Sequence, residues 1–450
     1  MKFDQLYPRR FSVVALLLLF ATTACSLFPG SETGSGQLDL TQVAPMCTPP
    51  ACALGETLEC PDGNCPGGCG YICTIAVTAT DPELGAAPAD WSGLESWIAN
   101  AWNIHADPAA VRAGLRASGW LEGYDNWRGA DMNGDLRDEW IVSLVDPDPA
   151  AIVGPGRLGN LWVVNGDGVV YRAYDTVSTD NFEQVAPQIE EVLDLTNDGK
   201  PELVTNQVIC GASTCYGNYR VISTIRGGYA NIISNPTTVE GAEADVINIS
   251  YSDVSFNDFE LDGLVDMAVH GGALGSAGAG ITQMYTEVWE WDGTAVSLQN
   301  RLYDPSDYRH HYVYEGNRQM AAGNYGDAVF YYEEAINNGN LLTPPGVSDV
   351  GAVYAAVAQF SAFRLILIDE LQGDAGKAAS RLAWLERSYP GTAVTNGAGR
   401  LVREWAGADG LNNLCNSIEN QLNDLAQPIG PLTNEMGYGN PSLGAEDLCP

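Results

Sequence analysis

Three stretches decide the reading of this 450-residue chain: DMNGDLRDEWIV at residues 131–142, DLTNDGKPELV at 194–204 and DFELDGLVDMAV at 258–269. Their starts lie 63 and 64 residues apart, so each marks one copy of a supersecondary repeat. Oxygen-bearing side chains recur at positions 1, 3, 5 and 9 of each copy. These are Asp131, Asn133, Asp135 and Glu139, then Asp194, Thr196, Asp198 and Glu202, then Asp258, Glu260, Asp262 and Asp266. A hard dication such as Ca2+ takes roughly six to eight oxygens at ~2.3–2.6 Å. A tight turn aims positions 1, 3 and 5 inward, adds the carbonyl of position 7 and closes with the acid at position 9. Gly199 and Gly263 at position 6 permit the sharp bend, where positive φ is often required. Leu136 holds that position in the first copy, which predicts a distorted loop there. An EF-hand is excluded, because position 12 of the second copy is Thr205 and an apolar strand follows each loop. A single copy would read as a solvated acidic turn; three copies with the closing acid point to cation binding.

Working outward, each loop strand is followed by two β-rich runs around a glycine turn: LWVVNGDGVVYRAY, NYRVISTIRGGYANIIS and MYTEVWEWDGTAVSLQ. With the strand leading into the loop, each period predicts about four strands. The loops resemble the calcium loops of FG-GAP (VCBS-type) repeats, which build the β-propeller of integrin alpha subunits and occur in many exported bacterial proteins. The resemblance covers about residues 119–305. It implies a β-propeller-type domain holding two or three structural Ca2+ ions on the twelve side chains named above. Glu139 and Glu202 stand where that family more often has Asp. A closed propeller usually needs four or more blades, and the chain supplies three motifs.

Residues 90–118 read as two short helices, with Asp107-Pro108 starting the second, and are expected to cover an edge of the sheets. From about residue 312 the apolar period changes to 3.6. YVYEGNRQMAAGNYGDAVFYYEEAI and the later GDAGKAASRLAWLERSYP are similar to tetratricopeptide repeats. Small Gly316 and Ala328 would let two antiparallel helices approach closely. The helical domain is predicted over 312–426, with an irregular tail at 427–450. The fold class is thus a multidomain β + α protein: a propeller-like repeat domain, then a tetratricopeptide-like helical domain. The resemblance implies a concave surface for a protein or peptide partner.

At the other end, residues 1–25 carry Arg9-Arg10, a ten-residue apolar run from Phe11 to Phe20, and Thr22-Thr23-Ala24-Cys25. Small residues before a Cys resemble a bacterial lipobox, although Thr22 replaces the usual Leu. The expectation is a signal peptide, a lipidated Cys25, a flexible tether over 26–46, and a body held on the outer face of a membrane. No other stretch reads as long and apolar enough to span a bilayer. Setting Cys25 aside leaves ten of the eleven cysteines, an even number suited to disulfides in an exported protein. Six crowd residues 47–73, where Cys47, Cys52, Cys60, Cys65, Cys69 and Cys73 lie among Gly and Pro with too few apolar residues for a core. A disulfide knot is expected there, its pairing left open by sequence. Cys210 with Cys215, and Cys415 with Cys449, are further candidate pairs.

The chain carries 57 acids against 21 Lys+Arg, a formal net charge of -36. That balance excludes nucleic acid as a partner, because phosphate neutralisation needs basic clusters. Catalytic signals are weak. The GxGxxG at 154–159 precedes a strand rather than a helix, and Leu274 breaks a G-x-S-x-G pattern around Ser276. His105, His270, His310 and His311 show no ligand or triad spacing, and adjacent His310 and His311 are expected to point apart, one to solvent. The reading is a non-catalytic, calcium-stabilised surface scaffold or binding lipoprotein. The alternatives are an extracellular hydrolase with its site on the propeller face, and an envelope-assembly factor acting through the helices.

Overall fold

A computed structural model describes residues 56–59, 72–75, 84–122, 126–153, 156–175, 177, 184–235, 245–422, 429–432, 435–444 and 447–449. The leader, Cys25, the tether and Cys47, Cys52, Cys60, Cys65 and Cys69 lie outside the described residues. The chain divides into two units, 1–76 and 77–450. In the first, β1 (Glu56–Glu59) pairs antiparallel with β2 (Ile72–Ile75), which places Cys73 opposite Leu58.

The second unit begins with α1 (Trp91–Asn103) and α2 (Pro108–Ala117). Asp90 accepts from Gly93 N at 3.3 Å, and Asp107 accepts from Ala109 N at 3.0 Å with Pro108 in the first turn. The first sheet follows: β3 (Trp127–Ala130), β4 (Glu139–Val145), a small hairpin of β5 (Ile152–Val153) and β6 (Gly156–Arg157), then β7 (Gly159–Asn165) and β8 (Gly168–Arg172). Its order is β3-β4-β7-β8, antiparallel throughout. The second sheet repeats that order with β9 (Gln188–Leu193), β10 (Glu202–Cys210), β11 (Cys215–Ser223) and β12 (Ala230–Asn231). Next come β13 (Ile233–Ser234) and β14 (Ile247–Ser250). The third sheet holds β15 (Asp253–Asn257), β16 (Asp266–Gly271), β17 (Tyr285–Trp291) and β18 (Val296–Tyr303). The link between the last two sheets stitches them together, since β14 pairs with β11 and β13 runs parallel to β18. A disulfide joins Cys210 to Cys215 across the β10–β11 turn.

Strand alternation stacks the three sheets face to face. On β4, Trp140, Val142 and Leu144 face α1 and α2 in a core with Trp97, Trp102, Trp120, Trp127 and Trp162. The helices therefore cover a face of the first sheet, not an edge as expected. Ile141, with Leu161 and Val163, faces the second sheet and meets Ile189, Leu203 and Ile222. Val204, Tyr219 and Val221 of the second sheet meet Met267, Val269, Trp289 and Val296 of the third. The outer face of the third sheet carries Asp253, Ser255 and Asn257, all exposed, with His270, Thr286 and Glu290. Buried Ala268 and Val288 lie on the same face between them, and the sheets do not close into a propeller.

A helical region follows: α3 (Arg309–Ala321), α4 (Tyr325–Asn337), α5 (Val350–Leu371), α6 (Ala375–Ser388), α7 (Ala393–Glu404) and α8 (Leu411–Leu422). Asp349, Asp374 and Thr392 cap α5, α6 and α7 through Ala352, Lys377 and Thr395 N–H groups. A Cβ at Gly316 would lie 2.6 Å from the Tyr332 ring, so only glycine lets α3 seat that close to α4. Among the described residues α5 is long and apolar enough to cross a bilayer, contrary to the expectation that only the leader is. Its most apolar window is 78% buried, and Arg364, Asp369 and Glu370 are buried along it, as in a core helix. The tail joins the same core through Ile429, Leu432, Leu443 and Leu448, and a disulfide ties Cys449 to Cys415 on α8.

The sheets and helices meet at the 272–284 connection. His310 and His311, 1% and 2% exposed, both direct Nε2 at the Ile281 carbonyl, at 3.4 and 2.9 Å. The expectation that one faces solvent is corrected: the first turn of α3 is buried under that carbonyl. Tyr438 and Gly439 donate backbone N–H groups to Gly278 and Ala279 at 3.1 and 3.0 Å.

Candidate functional site

Each loop joins the first two strands of its sheet, so the meander topology puts all three at one end of the stack. Their backbones agree. Position 4 is left-handed at Gly134, Asn197 and Leu261 (φ 80, 56 and 59), and position 6 at Leu136, Gly199 and Gly263 (φ 71, 85 and 94). Leu136 therefore adopts the same backbone as the glycines, and its loop is not distorted in the way expected. The strain is instead carried by the leucine, at ~1–2 kcal/mol for an L-residue in this region.

The hydrogen bonds agree as well. The position-1 carboxylate accepts from the N–H groups of positions 5 and 6: Asp131 from Asp135 and Leu136 at 3.0 and 2.8 Å, Asp194 from Asp198 and Gly199 at 3.2 and 3.0 Å, Asp258 from Asp262 and Gly263 at 3.0 Å each. The position-5 carboxylate accepts from the N–H of position 7 at 2.9 Å in all three, from Arg137, Lys200 and Leu264. The position-9 acid reaches back to the N–H of position 2: Glu139 to Met132, Glu202 to Leu195 and Asp266 to Phe259, each 2.8 Å.

Those position-9 acids are each 1% exposed. Alternation points each from its own sheet outward along the stack, Glu139 toward the second sheet and Glu202 toward the third. Burial raises all three above their ordinary values; the N–H bonds, and on Glu202 first the Ser223 hydroxyl, oppose it, and the other loop acids add to it. Among the ion pairs between described residues, none engages any of the ten loop carboxylates of the candidate set. Among the described residues, no group of three or more His, Cys, Asp or Glu side chains stands at metal-holding spacing. The oxygens of each loop are turned onto the loop's own N–H groups. The donor set of acids, Asn133, Thr196 and the position-7 carbonyls is all hard oxygen, which suits Ca2+ in type.

Several residues at this end escaped sequence reasoning. Ser223 Oγ donates to Glu202 at 2.9 Å, and Thr224 Oγ1 donates to the Met132 carbonyl at 2.8 Å, so one turn of the second sheet touches its own loop and the first. The Tyr229 hydroxyl is buried beside Glu139 and Asn133 without a hydrogen bond of good geometry. Glu290 on β17 lies against Asp262, and burial followed by Asp266, Glu260 and Asp262 raises it. All four come from neighbouring hairpins, and no local spacing marks them. The glycines of the discounted motifs are structural: a Cβ at Gly159 would lie 2.1 Å from the Leu144 carbonyl oxygen, and one at Gly275 1.8 Å from that of Ser213. A cleft of about 160 Å3 lies elsewhere, between α4, α5 and α6, lined by Glu333, Ala362, Arg381 and Trp384.

No family model matches the chain, and no curated protein or solved structure matches it either.

Proposed function

We propose that the protein is an exported lipoprotein, held on the outer face of a membrane through Cys25, whose stacked sheets form a calcium-stabilised platform beside a helical binding region. The sheets read as three FG-GAP-like blades, and the helices as tetratricopeptide-like pairs. One observation carries the calcium reading: three loops share a left-handed pair of residues, a hydrogen-bond pattern and a buried position-9 acid that has no cationic partner among the described residues. Like charges gathered this way repel, and a dication relieves them. Positions 1, 3, 5 and 9 with the position-7 carbonyl would hold one ion per loop, two or three in all. The ions would serve structure, pinning the strand-to-strand turns. Affinities of ~10⁻⁴–10⁻³ M suffice in a calcium-rich exterior. The third sheet ends the stack without closing it, which suits an open-ended scaffold more than a closed ring.

Calorimetric titration of the full chain with CaCl2 tests this reading. Saturable heat is expected, with a sheet-region melting temperature that falls in EDTA. Asp194→Asn with Asp198→Asn should remove one site. No heat and no melting shift at millimolar calcium would overturn it.

A further inference from the structure

Of the described leucines the two most exposed sit on these loops: Leu136 at 92% and Leu261 at 74%. Both occupy left-handed backbone, φ 71 and 59. Each is unfavourable twice over, in the conformation that L side chains avoid and in bare contact with water. The second loop shows what the geometry alone prefers, with Asn197 and Gly199 at the same two positions. The loops therefore do not need leucine to fold. Phe259 (44%) and Ile225 (37%) add exposed apolar area at the same end. Ile225 sits in the turn whose Thr224 contacts the first loop and whose Arg226 donates to the Thr294 carbonyl of the third sheet at 2.7 Å. The turn thus bridges the space between the two leucines, which two stacking steps put about 20 Å apart.

We infer that this end of the stack is a docking surface for a basic protein segment with an apolar face. Charge decides the partner's chemistry. Among the described residues the ten carboxylates of the loops have no cationic side chain as partner, and exposed Asp138 and Asp292 add to them. The basic groups at this end are Arg137, Lys200 and Arg226, so the surface stays acidic even with a dication in each loop. A second copy of this strongly acidic chain does not complement it. Local rules broken without local benefit are the mark of a contact made elsewhere. The inference rests on the loop geometry and holds with or without bound calcium.

The probe is a synthetic amphipathic helix of alternating Leu and Lys faces, followed by fluorescence anisotropy against the full chain, with and without calcium. Binding is expected, with the Glu-for-Lys peptide inert. Leu136→Gly and Leu261→Gly should each weaken it about tenfold, from lost apolar burial. Both variants relieve backbone strain, so their melting temperature should rise and misfolding does not confound the result. Unchanged peptide affinity in the double variant would overturn the inference, as would binding to anionic phosphatidylglycerol vesicles with calcium in place of the peptide. Failure of calcium titration alone would overturn the metal reading and leave this one standing.

Discussion

The three acidic loops and the helical region both bury carboxylates, and they surround them differently. In the helices, Asp369 is fully buried but accepts from Arg381 Nε at 2.7 Å, while Arg381 also reaches Glu333 at 2.8 Å. In the loops, Glu139, Glu202 and Asp266 are as deeply buried and receive no guanidinium or ammonium from the described residues. Asp369 finds its counter-charge on a neighbouring helix, as Glu287 of the third sheet finds Arg301 on the adjacent strand at 3.0 Å; the position-9 acids of the loops find none among the described residues. Sensitivity to divalent ions is expected at the loops, and Asp369 should be indifferent to them.

The largest expected effect tests the self-sufficient half. Arg381→Met leaves Asp369 as an uncompensated buried acid, at a cost of about 3–5 kcal/mol. Helix melting followed at 222 nm should shift down. Nine of the eleven tryptophans lie within residues 91–291, so fluorescence reports the sheets. If both signals drop together, the two regions are one cooperative unit and the contrast fails.

The disulfides sharpen the same contrast. Cys415–Cys449 closes a separation of 34 residues and Cys210–Cys215 one of 5. Chain entropy gives about 4 kcal/mol for the first and about 2 kcal/mol for the second. Cys449→Ser should thus lower the urea midpoint of the helices by roughly twice what Cys215→Ser takes from the sheets. Equal shifts would mean that the tail adds nothing to the helical core.

Where the two regions touch, pH sets the sign. Burial first, then the neighbouring His311, pushes His310 down to about 3, and its Nδ1 is buried without a partner. A folded pKa below the ordinary 6.5 means that its stabilising effect is complete above that value and fades as pH falls toward 3. Urea midpoints at pH 7 and pH 4.5 should differ more for the native chain than for His310→Phe. An equal difference would remove the histidine pair as the acid-sensitive part of the junction.

What the sequence disclosed followed distance along the chain. The loops were legible because position-1 to position-9 chemistry is local, and the hairpins because strand alternation is. Leu136 misled, since composition alone does not reveal that a leucine accepts φ 71 at a cost. Asp253, Ser255 and Asn257 mark an exposed edge strand, but alternation says which residues share a face and not whether another sheet will cover it. Ser223, Tyr229 and Glu290 reach the loops across the stack, and the burial of both His310 and His311 depends on where Ile281 comes to rest. None of these has a signature in sequence spacing.

His270 gives the smallest effect and the opposite sign to His310. It links β15 to the residue just past β18, with Nε2 3.0 Å from Asp304 and Nδ1 3.4 Å from Asp253, and the Asp304 hydrogen bond leads the causes that raise its pKa. A folded pKa above the ordinary value contributes stability that is fully present below about 6.5 and is lost as pH rises through the folded pKa. The pair faces solvent on the polar side of the sheet, so screening limits it to no more than about 1 kcal/mol. His270→Gln should lower the sheet-region midpoint at pH 5.5 and leave it nearly unchanged at pH 8.5. Added salt should erase that difference, because exposed pairs are screened while the buried His310 is not. A loss that persists equally at both pH values would make His270 a packing residue, and the acid response of the molecule would then reside at the junction alone.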